Sequence, residues 1–396
     1  SATGAFTNPS RATPMVAPSS GHVMSPRLQV LREWPPGYGG IERVAHELAD
    51  VWRSPVYSFD AQGDGQALNG AEANDPLPVL YPRYRLRCLS FGRLLLPLPG
   101  RSLWALLRSP KPLHGHLPSP GVLLILLLAR IVRPGRLVSA HWHAFLSSGP
   151  GLQAKLFVVY QWFALQVLPW LGEVVTTSPV LADALVRRGC PHSKIKVLTC
   201  CLDAELERKA LALPLKERQA QDPLKVLFIG RLESYKRLDW LLEALAELPA
   251  PWRLDVLGDG PRRGVFEEQA EALPVHFHGR VTEASKLTHL STADVLVLPS
   301  DRSNEAFGIV QLEAMAAGMP ALAFCCERSG MGWVGALPGL IWSQQPAELA
   351  SVLQRLARDA QLCGALAVEA RDRYQQQFCR EVWQQQLMNL RATAVS

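Results

Sequence analysis

Two carboxylates eight positions apart, Glu305 and Glu313, stand where a buried strand is predicted to give way to a helix. The strand pattern covers residues 293–299, and helical periodicity follows it. Phe307 and Gly308 are predicted to mark the helix start, where free backbone N–H groups and the positive end of the helix dipole favour an anion. This combination predicts a site for a polyhydroxylated ligand that carries phosphate.

A second turn suited to phosphate lies near the N-terminus. A short strand predicted over residues 27–33 leads into Gly39 and Gly40, and residues 41–52 have strong helical periodicity. Glycines between a strand and a helix allow the backbone to approach a phosphate. A plain tight turn is an equally good interpretation of the two glycines alone.

Strands alternate with helices along both halves of the chain, which predicts an α/β protein with doubly wound parallel sheets. The polar clusters follow strand ends, so they should face one cleft between two domains. A charged stretch without aromatic residues is predicted to link the domains, and the polar, glutamine-rich segment 371–390 is predicted to be one helix. The expected divisions are a first domain over 24–205, a linker over 206–222, a second domain over 223–375, and a C-terminal helix and tail over 376–396.

The composition is that of an ordinary globular protein, since 48% of the 396 residues are apolar and 19% are charged. No run reaches the roughly 18 to 20 apolar residues that a membrane-spanning helix needs. The eight cysteines include no C-x-x-C pair, which favours reduced, mostly buried thiols in the cytosol. Residues 1–23 lack periodicity and an apolar signal-peptide core, so we expect a disordered leader or a cloning remnant, with Met24 as the natural start.

Charge is distributed unevenly along the chain. The net charge of +6 divides into +9 up to residue 210 and −3 beyond it, and no acidic residue occurs between Asp75 and Glu173. This asymmetry predicts that the first half engages an anionic surface or acceptor. Leucine, tryptophan and arginine alternate without acids over 91–108, as they do in segments that lie on a membrane interface. A core-facing helix with solvated arginines is the alternative, and the missing acids favour membrane contact.

Several short motifs follow one another along the chain. The main ones are Gly230-Arg-Leu-Glu-Ser-Tyr-Lys236, Gly258-Asp-Gly-Pro261, and Glu305-Ala-Phe-Gly308 followed by Glu313-Ala-Met-Ala-Ala-Gly318, with support from 39–43, 114–120 and 142–143. From about residue 27 to the end, the chain resembles the retaining glycosyltransferases of family 4. The resemblance implies the GT-B fold, in which two Rossmann-like domains face each other across a cleft and a C-terminal helix crosses back to the first domain.

The resemblance implies roles for residues of the second domain. Arg231 and Lys236 match the basic pair that holds the diphosphate of the nucleotide sugar, where cations must meet the charge of the leaving group. A surface ion pair is the alternative for Arg231. Glu313 matches the acid that binds the ribose hydroxyls, and Glu305 matches the acid near the sugar. The remaining implied binding positions are Gly258, Arg280 beside the nucleotide base, and the backbone of Ala306, Phe307 and Gly308.

The first domain contributes fewer implied site residues. Gly39 and Gly40 are expected to approach the diphosphate from the opposite side of the cleft. His143 matches the histidine that contacts the sugar close to the reaction centre, with His141 as the alternative. A histidine pair with one residue between invites a zinc interpretation at His114 and His116. No carboxylate or cysteine lies nearby in sequence, so both are expected to be structural, and neither a metal nor a cofactor is expected.

The implied activity is hexosyl transfer with retention of configuration by front-face substitution, with His143, Glu305, Arg231 and Lys236 as the expected catalytic residues. Segments 235–237, 303–307 and 310–314 are most similar to those of bacterial mannosyltransferases that use GDP-mannose. UDP-glucose, a UDP-N-acetylhexosamine and GDP-rhamnose are alternative nucleotide sugars.

The expected acceptor is lipid-linked, a lipopolysaccharide or an exopolysaccharide. It would be met at the cytoplasmic face of the inner membrane, which the basic first domain would bind peripherally. Nucleic acid is not an expected partner. A non-catalytic nucleotide- or glycan-binding module is the distant alternative, whereas a nicotinamide-dependent oxidoreductase fits poorly because proline follows the second glycine of 258–261.

Overall fold

The computed structural model of the chain describes residues 26–34, 39–61, 63–67, 79–92, 94–147, 151–303 and 305–390. The expected leader over 1–23 lies outside these ranges. The described residues form two α/β units, each built on its own sheet, with a cavity between them. The predicted fold class is therefore confirmed.

The first unit contains a nine-stranded sheet with the order β3-β4-β2-β1-β6-β7-β8-β9, and β5 pairs with β4. Neighbouring strands are parallel except where β3 and β5 pair with β4, which adds an antiparallel edge. The strands are β1 Leu28–Leu31, β2 Val56–Asp60, β3 Gly65–Gln66, β4 Arg83–Phe91, β5 Leu94–Pro97, β6 Leu113–Leu117, β7 Val138–Trp142, β8 Glu173–Thr176 and β9 Ile195–Val197.

The second unit is a five-stranded sheet, parallel throughout, with the order β12-β11-β10-β13-β14. Its central strands β10 and β13 are short, largely apolar runs that are mostly buried, as expected where helices cover both sides, whereas the edge strand β12 alternates apolar residues with exposed histidines. The strands are β10 Leu224–Ile229, β11 Trp252–Leu257, β12 Val275–Gly279, β13 Val295–Leu298 and β14 Ala321–Ala323.

Helices cover both sheets. Those of the first half are α1 Gly40–Trp52, α2 Arg101–Arg108, α3 Pro120–Val132, α4 Leu152–Val167, α5 Pro179–Val186 and α6 Ala204–Leu211. Those of the second half are α7 Leu238–Ala246, α8 Arg263–Gln269, α9 Glu283–Thr292, α10 Val310–Ala316, α11 Met331–Gly335, α12 Leu349–Arg358, α13 Ala360–Gln377 and α14 Arg380–Met388. Across the part of the chain that the structure describes, no helix combines the length and apolarity needed to cross a bilayer.

The end of the chain differs from its predicted form. The single helix expected over 371–390 is wrong, because the chain turns at Phe378 between α13 and α14. The Phe378 ring is fully buried and packs edge-on against Trp333, with ring centroids 5.4 Å apart. Packing of this aromatic side chain overrides the helical periodicity of the polar residues around it.

Helix α14 returns to the first unit, as the GT-B resemblance implies. The Arg380 guanidinium pairs with Glu47 of α1 at 2.5 Å and donates to the Leu202 carbonyl at 2.7 Å. The Thr199 backbone N–H and hydroxyl both donate to the side-chain carbonyl of Gln386. Helix α6, capped by the Asp203 carboxylate, occupies the beginning of the predicted linker.

Candidate active site

A cavity of about 440 Å³ lies between the two units, at the carboxyl ends of the parallel strands. The first unit contributes the start of α1 and the segment after β7. The second contributes the loop between β13 and α10, the segment after β10, and one side chain of α9. Because parallel strands of both sheets end here, this is the place where a doubly wound fold binds its ligand. The predicted residues that line it are Gly39, Gly40, His143, Lys236, Glu305, Ala306, Phe307, Gly308 and Glu313.

The loop from Glu305 to Gly308 forms one wall, and its backbone is held by side chains from neighbouring segments. The Ser329 hydroxyl donates to the Glu305 carbonyl at 2.6 Å, and Gln311 donates to the Phe307 carbonyl at 3.0 Å. Gly308 has a φ of +70°, which favours glycine, and α10 begins at Val310 rather than at the predicted Phe307–Gly308. The left-handed residue turns the loop before the helix can start.

The Glu305 carboxylate is held from two directions. Lys236 forms an ion pair with it, and the Ser300 hydroxyl donates to its other oxygen at 2.6 Å. The Lys236 ammonium also lies 5.5 Å from the centre of the Tyr235 ring. Burial, helped by the negative charge of Glu305, raises the pKa of the Tyr235 phenol above its ordinary value. The wall of the cavity thus contains an ammonium and a carboxylate in direct contact.

The second acid, Glu313, lies in the first turn of α10 and is almost fully buried. Its carboxylate is 2.7 Å from the ammonium of Lys286 on α9 and 3.5 Å from the guanidinium of Arg43 on α1. Arg43 therefore joins the two units across the cavity. Two cations thus lie beside this buried carboxylate and offset the cost of its burial.

Glycines shape both ends of the site. Gly39 precedes α1, and a Cβ there would come within 2.4 Å of the Glu42 carboxylate. At the end of β11, Gly258 has a φ of +133°, and a Cβ would come within 1.9 Å of the Gly230 carbonyl oxygen. Gly258 thus brings the ends of β10 and β11 together, and it does not line the cavity.

Arg231 and Arg280 do not line the cavity. The Arg231 side chain is 70% exposed and pairs with Glu233 at 3.0 Å, so the surface ion pair considered as its alternative is the arrangement present. Arg280 is exposed after the end of β12. Their predicted contacts with the diphosphate and the base remain predictions.

His143 lines the cavity from the first unit and belongs to a buried cluster with His114, His116 and His141. Burial lowers the pKa of all four imidazoles, to about 3 for His116 and well below the ordinary value for the others, so they are neutral at physiological pH. His114 and His116 have the buried positions expected of structural residues.

Two groups of side chains within the described ranges place three metal-compatible atoms within 4.8 Å of one another. One is the buried trio His114, His116 and His141, in which both nitrogens of His114 and of His116 are engaged in hydrogen bonds, whereas Nε2 of His141 has no hydrogen-bond partner among the described residues. The other is Asp255 with His278 and His289, where His278 and Asp255 are 2.7 Å apart. Neither contributes to the lining of the cavity.

Two cavity residues with direct contacts to Glu313 were not predicted. Arg43 stands within the quoted segment 39–43, and its helical spacing from Gly39 and Gly40 could have indicated that it faces the same side. Lys286 lies four residues before Leu290, and both are buried on the same face of α9. A lysine at a core position of an amphipathic helix was the available signal.

Two Rossmann-like units that face each other across such a cavity define the GT-B class of fold. The family model for "Glycosyltransferase Family 4" matches residues 38–206, and the model for "Glycosyl transferases group 1" matches residues 223–359. The chain carries both domains in this order, and it belongs to the glycosyltransferases with the GT-B fold.

Known structures and curated relatives agree with this assignment. HepE from Anabaena, solved with UDP, superposes with a TM-score of 0.67 at 19% identity and covers 91% of this chain and 97% of HepE. The D-rhamnosyltransferase WbpZ of Pseudomonas aeruginosa is 28% identical over 233 residues, which are 57% of this chain and 60% of WbpZ. A GDP-mannose-dependent phosphatidylinositol dimannoside mannosyltransferase of Mycobacterium tuberculosis is 35% identical over 106 residues, 25% of this chain and 27% of the relative. The matches thus span 60% or less of these curated relatives.

Proposed function

We propose that the chain transfers a hexose from a nucleotide sugar to a lipid-linked, lipopolysaccharide or exopolysaccharide acceptor with retention of configuration, and that GDP-mannose is the nucleotide sugar. The observation that carries the proposal is the shared cavity, whose lining contains both the Lys236–Glu305 pair and the Glu313 group with its two cations. A nucleotide sugar has the matching sequence of groups: a sugar, a charged diphosphate, and a ribose with two hydroxyls.

Lys236 supplies the cation at the leaving group. When a diphosphate enters, the Lys236 ammonium can exchange its contact with Glu305 for phosphate oxygens and stabilise the charge that grows as the glycosidic bond breaks. The Gly39–Gly40 turn brings exposed backbone N–H groups from the opposite wall. Arg231 would have to leave Glu233 to assist. The diphosphate itself accepts the proton of the attacking hydroxyl in this front-face reaction.

The two acids have separate tasks. Glu313, held by Lys286 and Arg43, is positioned to accept hydrogen bonds from ribose hydroxyls. Glu305, once Lys236 turns to the diphosphate, can accept from sugar hydroxyls while Ser300 continues to orient its carboxylate. The relatives support mannose or a closely related sugar, since one is named a GDP-mannose-dependent mannosyltransferase and another a D-rhamnosyltransferase. GDP-rhamnose, UDP-glucose and UDP-N-acetylhexosamines are the alternatives.

We propose that the first domain binds anionic membrane through helix α4. Its outward face consists of Leu156, Val159, Trp162 and Phe163, and Val159 and Trp162 are 62% and 63% exposed. The stretch from 76 to 172, which includes the whole helix, has no acidic residue. Apolar and aromatic side chains on a helix without negative charge complement an anionic lipid surface. In 91–108, by contrast, the leucines of α2 are buried, and the prominently exposed apolar side chains of the described residues are Phe91 and Trp104, which lie on different elements.

Turnover of labelled sugar nucleotides tests the proposed chemistry. We expect GDP-mannose to be hydrolysed slowly or transferred, and Glu305→Gln and Lys236→Ala to lower this activity by about a hundredfold or more while the far-UV circular dichroism is unchanged. Full activity in both variants would remove the assignment of these two residues. Turnover of a UDP-sugar in place of GDP-mannose would correct the proposed nucleotide sugar and leave the reaction class intact.

Sedimentation with liposomes tests the membrane surface. We expect the protein to pellet with anionic vesicles and to remain in solution with phosphatidylcholine alone, and Trp162→Ser with Phe163→Ser to reduce pelleting several-fold. Ile341→Ser is the matched control, because Ile341 is an exposed apolar residue of the second unit. Equal pelleting with both lipids, or an equal loss in the control, would contradict the proposal.

A further inference from the structure

Four histidines and one glutamine share a single face of the first sheet. His114 and His116 alternate along β6, and His141 and His143 continue the same alternation at the end of β7. The strands pair so that His116 lies opposite His141, while Gln29 of β1 lies opposite His114. Side chains two residues apart on a strand point to the same face, so the five side chains form one polar layer beneath the cavity.

The amide of Gln29 has only one consistent orientation. Its nitrogen donates to the Ala45 carbonyl of α1 at 3.1 Å, and that carbonyl can only accept. The amide oxygen therefore faces His116, 2.8 Å from Nε2. Because this oxygen also can only accept, the proton of the His116 ring must lie on Nε2.

The position of this proton determines the state of His143. A neutral imidazole with its proton on Nε2 has a bare Nδ1, and Nδ1 of His116 lies 2.8 Å from Nε2 of His143. The bare nitrogen accepts, so His143 carries its own proton on Nε2. The His143 ring is also neutral, which leaves its Nδ1 without a proton. Within the described ranges no residue hydrogen-bonds this Nδ1, and His143 lines the cavity.

We propose that Gln29 and His116 are positioning residues that fix His143 as a hydrogen-bond acceptor, so that it selects a hydroxyl of the bound sugar. This inference rests on the proposed function for the identity of the ligand, and on the hydrogen-bond chain together with the burial of both rings for the state of the ring. A sugar hydroxyl can donate to the bare Nδ1. A carboxylate or an acetamido oxygen in the same place would be repelled, because it and Nδ1 are both hydrogen-bond acceptors. A fluorine has no proton to donate.

The other two histidines provide an internal comparison. His114 bonds to Ser139 at 2.8 Å and to His141 at 3.2 Å, and neither bond includes a nitrogen of His143. Loss of the Ser139 hydroxyl therefore removes buried hydrogen bonds with His114, Arg27 and the Leu113 carbonyl, without a direct effect on the chain from Gln29 to His143. A metal ion on His114, His116 and His141 would instead compete with the hydrogen bonds that His116 makes to Gln29 and His143.

Nitrogen-15 NMR of the full chain labelled on histidine tests the tautomer without any substrate. The His143 signals are assigned by their loss in His143→Gln. We expect two-bond correlations that show a protonated Nε2 and a bare Nδ1 in the free protein at pH 7. A proton on Nδ1, a doubly protonated ring, or stoichiometric shifts of the His116 signals on addition of Zn²⁺ would overturn the inference.

Substitution of Gln29 tests whether this residue determines the tautomer of His143. The carboxylate introduced by Gln29→Glu favours a second proton on His116. Nδ1 of His116 then donates to Nε2 of His143. We therefore expect the His143 proton to move from Nε2 to Nδ1. Ser139→Ala should leave the His143 tautomer unchanged. Gln29→Met, which is neutral and similar in size, should give a mixture of the two tautomers. A single unchanged His143 tautomer in the Gln29 variants would overturn the positioning role.

Monodeoxyfluoro analogues of GDP-mannose test the contact with the sugar. We expect one fluorinated position to lower kcat/KM by about tenfold in the wild-type protein, which corresponds to one lost hydrogen bond, and by much less in Gln29→Glu. If no position discriminates between the two proteins, the role in sugar selection is wrong. If no nucleotide sugar reacts at all, the proposed function fails while the NMR result still decides the state of His143.

Discussion

The two walls of the cavity carry polar groups in opposite ways. The wall from the second unit is ionic, with Lys236 paired to Glu305 and Lys286 paired to Glu313. The wall from the first unit is neutral around His143, because burial holds the histidine layer beneath it in its uncharged form, and Arg43 brings a positive charge from this wall to Glu313. Full charges can stabilise the diphosphate and orient the ribose. A neutral acceptor can bind a hydroxyl of the sugar ring without adding a positive charge beside a ring that becomes positively charged.

The largest expected effect is a loss of folding stability at low pH, which arises from the buried histidines of the first unit. The folded-state pKa values of the four buried histidines lie below the ordinary value near 6.5, so below that pH the unfolded chain takes up protons that the folded chain does not. Stability is therefore complete above about pH 6.5 and is lost as the pH falls towards the folded values, by up to about 1.4 kcal/mol per histidine and pH unit. Urea unfolding between pH 7.5 and 5.5 measures this slope.

The variant His116→Gln provides the control for that slope. It keeps two polar contacts but removes one titrating ring, so the dependence on pH should fall by about 1.4 kcal/mol per pH unit. A stability that is constant from pH 7.5 to 5.5 in the wild-type protein would contradict the neutral histidine layer.

A comparison of Lys236→Ala with Arg231→Ala distinguishes the catalytic contribution of the cation in the cavity from that of the cation on the surface. Removal of Lys236 should lower kcat/KM by a factor on the order of 10² to 10³, since it removes charge stabilisation at the leaving group. Arg231 is exposed and paired with Glu233, and its loss should cost less than a tenth as much. Steady-state rates at two ionic strengths measure both effects. Equal losses would show that Arg231 moves into the cavity when the nucleotide sugar binds.

Lys286→Met should have a smaller effect of a different kind. The change keeps most of the unbranched side chain but removes its charge, which leaves Arg43 as the cation recorded beside Glu313. We therefore expect KM for the nucleotide sugar to rise about tenfold with little change in kcat. Lys209→Met, on exposed α6, is the matched control. A fall in kcat at unchanged KM would place Lys286 in the chemical step instead of in ribose binding.

The sequence allowed the ionic wall to be predicted better than the neutral one. Glu305, Glu313 and Lys236 each follow a strand end, and parallel strands bring such positions together. The link between Gln29 and His143 passes through three strands whose order is not apparent from the chain, so nothing local indicated it. The turn at Phe378 escaped prediction for the same reason, because a contact with Trp333 causes it.

The most direct test of the central claim is thermal unfolding of the wild-type protein and Lys236→Ala with GDP, UDP, GDP-mannose and NAD. A nucleotide diphosphate or nucleotide sugar present at about 100 times its Kd should stabilise the wild-type protein by about 2.7 kcal/mol. We predict a clear rise in Tm with GDP and GDP-mannose, a much smaller rise in Lys236→Ala, and no change with NAD. A rise with NAD alone, or an equal rise with GDP in both proteins, would contradict a nucleotide-sugar site built on the ionic wall.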